Sequence, residues 1–220
     1  MKAMIVHSSN PVTLVGGGLV GRDDLKQALA LAPLLVAADG GAGVALKAGH
    51  DPVAVIGDFD SLDSADRARI APERLFPIRE QDSTDFDKAL RNIAAPLVLA
   101  VGFLGARVDH QLAAFNTLIR HADRPCVLLG PGEVIFHAPP LLELDLSTGD
   151  VVSLFPMAPV TGRSRGLQWP IDGLELTPGG RIATSNRAEG ALRLEMDSPG
   201  LLVIAPRRAL DAVMRAIAPG

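Results

Sequence analysis

Apolar positions in the first 130 residues form short runs, separated by longer stretches in which they recur with helical spacing. The runs predict strands at residues 12–15, 34–38, 53–56, 75–78, 97–101 and 126–129. The stretches near 24–31, 42–48, 63–70, 84–94 and 110–121 predict helices. Because the strands are apolar on both faces and alternate with helices, they indicate an α/β fold with a mostly parallel sheet covered on both sides.

The pattern changes after Pro131. Short β-type runs at 133–136, 151–155, 181–183, 191–195 and 201–205 are separated by proline and glycine, and helical spacing returns only at 209–217. We therefore predict an N-terminal α/β domain at 1–130. Residues 131–220 are predicted to form a small antiparallel β domain with a short C-terminal helix.

Composition narrows the possible functions. A hydrophobic fraction of 48% excludes a disordered chain, and a net charge of −4 without a basic run argues against nucleic-acid binding. The single cysteine, Cys126, lies in an apolar run and predicts a buried thiol in a reducing compartment. No run approaches the roughly 18–20 apolar residues that span a bilayer. We expect a cytoplasmic protein without membrane contact.

A glycine-rich segment, Gly16-Gly17-Gly18-Leu19-Val20-Gly21, satisfies the G-x-G-x-x-G pattern, and Asp39 ends the next strand where a ribose-binding acid would sit. This favours one alternative function, a nicotinamide-dependent oxidoreductase. Two local interpretations stay open. The segment is either a plain turn before a helix capped by Asp23 or a loop whose backbone N–H groups face an anion.

Acidic residues follow two of the predicted strands. Asp39 closes the second strand, and Asp58 and Asp60 follow the third within Gly57-Asp58-Phe59-Asp60-Ser61. Carboxylates two positions apart in extended backbone point the same way, and such oxygen ligands suit Mg²⁺. Helix capping is the alternative for Asp39 and for Asp60.

Two later segments add further charges. Asp85 and Lys88 share a face of the helix predicted after Gln81, where a surface ion pair is the alternative. Arg107 and Asp109 follow the strand at 97–101, and a guanidinium in that loop suits phosphate oxygens. In a parallel sheet these groups would gather at one edge, and clustered carboxylates need a cation among them. The set is typical of Mg²⁺-dependent phosphoryl transfer.

The motifs resemble those of the thiamine pyrophosphokinase family. The similarity lies in the following segments: Asp39-Gly-Gly-Ala, Gly57-Asp-Phe-Asp-Ser, Gln81-Asp-Ser-Thr-Asp-Phe-Asp-Lys-Ala-Leu, Arg107-Val-Asp-His, Ser164-Arg-Gly-Leu-Gln-Trp-Pro and Thr184-Ser-Asn. One departure is Gly105-Ala106-Arg107, where many members have Gly-Gly-Arg. The resemblance implies a Rossmann-like three-layer N-terminal domain, a C-terminal β-sandwich, and a homodimer with thiamine sites between subunits.

The resemblance also implies a reaction in which ATP and thiamine give AMP and thiamine diphosphate, and it assigns residue roles. The metal ligands would be Asp58, Asp60 and Asp85, supported by Asp39 and Asp109. The groups near ATP and its phosphates would be Asp39, Gly40, Gln81, Lys88 and Arg107. Thiamine would stack on Trp169 and contact Ser185 and Asn186, since an indole face is the best aromatic partner for a cation.

Two further alternatives stay open. A pyrophosphokinase for another heterocyclic alcohol, such as a hydroxymethylpterin, would use the same aspartates and differ only in the C-terminal domain. A non-catalytic sensor would bind ATP–Mg²⁺ without turning it over. For Trp169 and the segment from Thr184 to Asn186, the alternatives are a core or edge-strand aromatic and a polar turn.

Overall fold

The structure is a computed structural model that describes residues 4–105 and 107–218. The chain divides into two compact units, one ending at Thr117 and the other beginning at Leu118. This division falls inside a helix, whereas the sequence analysis placed the domain boundary at 130/131; the functional domain boundary stays a prediction. No helix in the described residues is both long and apolar enough to cross a membrane.

The first unit alternates strands with helices. Its strands are β1 (Val6–His7), β2 (Val12–Val15), β3 (Leu34–Ala38), β4 (Ala54–Gly57), β5 (Leu75–Pro77), β6 (Ile93–Ala94) and β7 (Val98–Val101). Its helices are α1 (Asp24–Leu31), α2 (Gly41–Lys47), α3 (Ser64–Ala68), α4 (Asp85–Leu90) and α5 (Val108–Arg120), which continues into the second unit, with a 3₁₀ turn at Pro72–Arg74.

Strand pairing in the first unit is parallel. β3, β4 and β5 are neighbours in that order, β2 pairs with β7, and β1 pairs with β6. Every residue of β2, β4 and β7 is buried, because helices cover these apolar strands: α1 packs on β2 and β7, and α4 packs on β3 and β4. The predicted parallel α/β character is confirmed at this level.

The second unit is antiparallel. Its strands are β8 (Cys126–Leu129), β9 (Glu133–His137), β10 (Leu141–Leu144), β11 (Val151–Pro156), β12 (Gly162–Leu167), β13 (Ala183–Met196) and β14 (Leu201–Pro206). The pairing runs β8-β9-β14-β11-β13, and β13 also pairs with β10 and β12. A 3₁₀ turn at Arg207–Ala209 leads into α6 (Leu210–Ile217). Cys126 is buried, as predicted, and burial raises the pKa of its thiol.

Several predicted boundaries are wrong. The helix expected at 84–94 ends at Leu90, because the Asn92 side chain donates to the carbonyl of Lys88 (2.7 Å) and residues 93–94 pair with β1 instead. Of the run expected as a strand at 181–183 only Ala183 lies in a strand, and that strand, β13, continues without a break through the run expected at 191–195. Gly190 lies inside this strand at φ 124°, a conformation that glycine adopts without strain. β10 and β12 were not predicted.

Candidate active site

Two parallel strands bring the first acidic residues to one edge of the sheet. β3 and β4 are paired with Ala38 opposite Ile56, and the Asp39 backbone N–H donates to the Ile56 carbonyl (3.0 Å). Asp39 therefore leaves its strand at the level where β4 ends and the segment Asp58–Ser61 begins. Asp39 (φ 42°) and Phe59 (φ 67°) both have left-handed backbone, which turns the chain sharply at this edge.

Asp39 is a buried carboxylate whose hydrogen bonding is incomplete. Only 2% of the residue is exposed. Its Oδ2 accepts a hydrogen bond from the Ser61 N–H (3.1 Å), while its Oδ1 has no hydrogen-bond partner among the described residues. Burial, helped by the neighbouring charges of Asp85 and Asp60, raises the pKa of Asp39 to about 6. Such a carboxylate is stabilised by any cation that reaches its free oxygen.

Gly57, the last residue of β4, leaves room for Asp39 and Asp85 beside the strand. A methyl group at this position would lie 2.8 Å from Cβ of Asp39 and 3.2 Å from Oδ1 of Asp85. The first distance is shorter than side chains tolerate, so a larger residue would push Asp39 away from β4. The glycine of the Gly-Asp-Phe-Asp-Ser motif thus allows Asp39 and Asp85 to lie close to the end of β4.

α4 contributes Asp85 and a buried lysine. Thr84 caps this helix, accepting from the Asp87 N–H (3.3 Å), so Asp85 lies in the first turn. Lys88 is 2% exposed, and its Nζ donates to Oδ2 of Asp58 (2.6 Å) and Oδ1 of Asp85 (3.1 Å). Burial alone would lower the pKa of Lys88, but these hydrogen bonds raise it overall, and the Asp58 pKa is lowered chiefly by the same contact.

Three carboxylates could share one metal ion. Asp39, Asp58 and Asp60 each offer one oxygen, and these oxygens lie within 4.8 Å of one another. An all-oxygen, anionic donor set suits Mg²⁺, and the unpartnered Oδ1 of Asp39 is the buried atom that a cation would satisfy. The sequence analysis named Asp85 rather than Asp39 in this trio; Asp85 lies beside it, hydrogen-bonded to Lys88. Its direct ligation of the ion stays a prediction.

Arg107 and Asp109 form an exposed pair at the start of α5. Arg107 donates through Nε to Oδ1 (3.1 Å) and through a terminal nitrogen to Oδ2 (2.6 Å) of Asp109, and both side chains are 65% exposed. This contact lowers the pKa of Asp109 to about 2. Arg107 and His110 reach the cavity described next, whereas Asp109 does not line it.

A cavity of about 330 Å³ is lined by Asp39, Asp85 and Arg107, whereas Asp58, Asp60 and Lys88 are not among its lining residues. Phe86 and Phe103 contribute apolar wall, with ring centroids 4.4 Å apart. The glycine-rich segment also lines the cavity and packs closely on the chain at Gly102: the Gly18 N–H donates to the Gly102 carbonyl (3.0 Å), and a methyl group at Gly18 would lie 2.6 Å from that oxygen. The lining residues are Gly16, Gly17, Gly18, Ala38, Asp39, Gly40, Ser61, Thr84, Asp85, Phe86, Gly102, Phe103, Leu104, Arg107 and His110.

Some cavity residues were missed and some predicted residues lie elsewhere. Phe86, Phe103 and His110 line the cavity, and the sequence offered only their position beside acidic or glycine-rich motifs as a signal. Gln81 is exposed and is not among the lining residues. Asp23 makes no side-chain cap hydrogen bond to α1; Asp24 instead accepts from the Gly21 N–H (2.7 Å).

The predicted thiamine contacts lie in the second unit. Trp169 follows β12 and is 54% exposed, so the core interpretation of this residue is wrong. Ser185 is also exposed, with left-handed backbone (φ 59°), and its N–H donates to Oγ of Ser153 (2.9 Å). Asn186 is buried, and its side-chain amide hydrogen-bonds the backbone of Trp169.

Comparison with known proteins gives two family matches along the chain. Residues 25–128 match the family model described as "Thiamin pyrophosphokinase, catalytic domain", and residues 141–201 match "Thiamin pyrophosphokinase, vitamin B1 binding domain". The chain belongs to the thiamine pyrophosphokinase family. The first match contains the acidic cluster and every residue that lines the cavity except Gly16, Gly17 and Gly18, which precede it. The second match contains Trp169 and Asn186.

Individual relatives agree with this assignment to the thiamine pyrophosphokinases. The chain is 28% identical over 185 residues to "Thiamine pyrophosphokinase 1" of Arabidopsis thaliana, covering 75% of this chain and 69% of the relative. "Thiamine pyrophosphokinase 1" of Oryza sativa subsp. japonica is 28% identical over 178 residues, with 72% and 67% covered.

Solved structures share the fold. The thiamin pyrophosphokinase from Candida albicans superposes with a TM-score of 0.75 at 16% identity, over 91% of this chain and 93% of that chain. The enzyme from Geobacillus thermodenitrificans gives 0.71 at 24% identity, over 89% and 96%. At these identities the superpositions establish the mixed α/β fold. The family matches give no support to the hydroxymethylpterin or nicotinamide alternatives.

Proposed function

We propose that this protein is a Mg²⁺-dependent thiamine diphosphokinase that transfers a pyrophosphoryl group from ATP to thiamine. The observation that carries the proposal is the acidic cluster of Asp39, Asp58 and Asp60 in the catalytic-domain match, of which Asp39 lines the cavity. Family membership supports thiamine as the acceptor. The N-terminal three-layer arrangement and the C-terminal sandwich belong to the same proposal.

The reaction forms one P–O bond, breaks another, and releases the hydroxyl proton of thiamine. The thiamine hydroxyl oxygen attacks the β-phosphorus of ATP, the bond from that phosphorus to the α,β-bridging oxygen breaks, and AMP leaves while the hydroxyl proton is released. A bound Mg²⁺ supplies positive charge to the phosphate oxygens. Asp39, Asp58 and Asp60 would hold the ion, with Asp85 beside them.

The chain's own cations set the charge of the site. Lys88 holds Asp58 and Asp85 by hydrogen bonds from a buried position, so it offsets part of the negative charge of the cluster. Arg107 is exposed and reaches the cavity, where its guanidinium is suited to bind phosphate in exchange for Asp109. We propose that Gly40 and Gln81 also lie near the phosphates and that a carboxylate accepts the thiamine proton.

Thiamine recognition is assigned to the second unit. The exposed indole of Trp169 supplies a flat face for the cationic thiazolium. We propose that Ser185 and Asn186, which are adjacent near the start of β13, complete the thiamine site.

We propose a homodimer as the working form, which light scattering of the purified protein tests by measuring its mass. A mass of one chain would contradict the dimer.

Identification of the products tests the proposed reaction. The protein is incubated with ATP, Mg²⁺ and thiamine, and the nucleotide and thiamine products are separated by chromatography. AMP and thiamine diphosphate in equal amounts are expected. ADP with thiamine monophosphate would indicate an ordinary kinase, and absence of turnover with thiamine would overturn the proposal.

A further inference from the structure

Trp169 is an exposed aromatic residue on a firmly held loop. It lies just after β12 with 54% of its surface exposed, although tryptophan is usually well covered in folded proteins. The loop is attached to β13 on one side, because the Gln168 N–H donates to the Arg187 carbonyl (2.9 Å). An exposed indole on a fixed backbone is a surface ready for stacking.

The Asn186 side chain hydrogen-bonds both the N–H and the carbonyl of Trp169. The Asn186 Nδ2 donates to the Trp169 carbonyl (2.7 Å), and its Oδ1 accepts from the Trp169 N–H (3.2 Å). The same Oδ1 accepts from the N–H of Arg187 (2.8 Å). Asn186 is 3% exposed and these hydrogen bonds are partly buried, so water competes with them less than with contacts on the open surface.

Two further hydrogen bonds connect the chain before Trp169 to the chain after it. The Ser164 hydroxyl oxygen accepts from the Ile171 N–H (3.0 Å), and Oδ2 of Asp172 accepts from the Ser164 N–H (3.1 Å). Ser164 and Ile171 are buried. The chain is thus held before and after Trp169, and the indole is left as the exposed part.

We propose that Asn186 is a positioning residue for thiamine binding, because its amide fixes Trp169 as a rigid stacking surface for a flat cationic ring. The inference rests on the proposed function, in which Trp169 binds thiamine. It changes the role expected for Asn186, since both ends of its amide are used on the loop rather than on the ligand. The amide side chain of asparagine can offer an acceptor to the N–H and a donor to the C=O of the same residue, as it does here.

Fluorescence tests the inference directly, because Trp169 is the only tryptophan and the chain has no tyrosine. Time-resolved anisotropy of the ligand-free protein reports the local motion of the indole. In Asn186→Ala we expect a fast component of larger amplitude, at least twofold more acrylamide quenching, and about tenfold weaker thiamine binding by calorimetry. Affinity for ATP–Mg²⁺ should stay unchanged.

Two further variants separate positioning from general destabilisation. Asn92→Ala removes another buried asparagine that donates to a backbone carbonyl (2.7 Å, to Lys88), and it should leave the anisotropy of Trp169 unchanged. If Asn186→Ala does not fold, Asn186→Asp serves instead, since it keeps the size and the acceptor, replaces the donor by an oxygen and adds a negative charge. It should also mobilise the indole.

The outcomes are distinct. Wild-type anisotropy in the Asn186 variants would overturn the inference, as would a mobile indole with unchanged thiamine affinity. If wild-type protein binds ATP–Mg²⁺ but no thiamine, the proposed function fails and the stacking role fails with it. A mobile indole with selectively weakened thiamine binding supports the inference.

Discussion

Asp39 is the residue in which the conflict between stability and function is clearest. Its carboxylate is buried, one oxygen lacks a partner among the described residues, and its pKa is raised to about 6 by burial and by Asp85 and Asp60. A folded protein without a cation therefore carries an unfavourable charge at neutral pH. The same unfavourable charge would be relieved by a bound cation, and we propose that this cation is Mg²⁺.

Replacement of Asp39 by asparagine should stabilise the metal-free protein. The folded pKa of Asp39 lies above its ordinary value of 3.8, so the folded state binds protons more tightly and loses stability as pH rises between about 4 and 7. We expect Asp39→Asn to raise the free energy of unfolding by about 2 kcal/mol at pH 7, measured by urea denaturation with EDTA. The gain should vanish near pH 4, and a loss of stability at pH 7 would contradict this account.

At the scale of elements, α4 determines how the cluster is arranged. The helix is short, yet it places Asp85 at its first turn and Lys88 one turn later against the ends of β3 and β4. Lys88 then bridges Asp58 and Asp85 from inside the unit. The lysine ammonium offsets the negative charges of Asp58 and Asp85, and its removal would leave these two carboxylates without that positive charge between them.

Substitution of Lys88 by methionine should destabilise the protein in a way that a divalent cation relieves. Both carboxylates are partly exposed, so we expect a loss of about 2 kcal/mol rather than the larger value for a fully buried pair. Millimolar Mg²⁺ should recover part of the loss. Lys47→Met, at an exposed position ending α2, is the matched control. Equal effects of both variants, with or without Mg²⁺, would contradict the bridging role.

Elements that depend on local sequence were predictable, and those that depend on distant contacts were not. The strands at 12–15, 34–38 and 126–129 are confirmed because each is an apolar run buried on both faces. The end of α4 and the continuity of β13 were missed, since they depend on pairing with β1 and with β10 to β12.

The candidate site likewise has features that the sequence could predict and features that it could not. Acidic residues after strands could be gathered from the parallel pattern alone. The burial of Lys88 and the contacts of Asn186 with Trp169 could not, because hydrogen bonds between residues far apart in sequence leave no local pattern.

At the scale of the whole molecule, our proposal assigns the phosphate chemistry and the thiamine contacts to residues of different units. The acidic cluster and its cavity lie before Thr117, while Trp169 and Asn186 lie after Leu118. This division matches the separate catalytic and vitamin B1 binding regions of the family. Substitutions in the two units should therefore affect different kinetic constants.

Replacement of Trp169 by alanine tests this separation. Loss of the indole removes the cation–π contact and the stacking surface, so the KM for thiamine should rise about tenfold or more while the KM for ATP stays near wild type. Steady-state kinetics with each substrate varied in turn give both values. Trp169→Phe keeps an aromatic face, so its KM for thiamine should lie between those of the wild-type protein and Trp169→Ala. An unchanged KM for thiamine would remove Trp169 from the site.

We propose that the carboxylates after β4 hold the metal for pyrophosphoryl transfer. The most direct measurement is the turnover of Asp58→Asn and Asp60→Asn with ATP, Mg²⁺ and thiamine, alongside Asp63→Asn. Asp63 accepts from the Ala65 N–H (2.7 Å) as the cap of α3, and asparagine caps equally well. We predict folded proteins in all three cases, with roughly hundredfold or greater losses only for Asp58 and Asp60. Near-wild-type turnover of both variants would contradict the account.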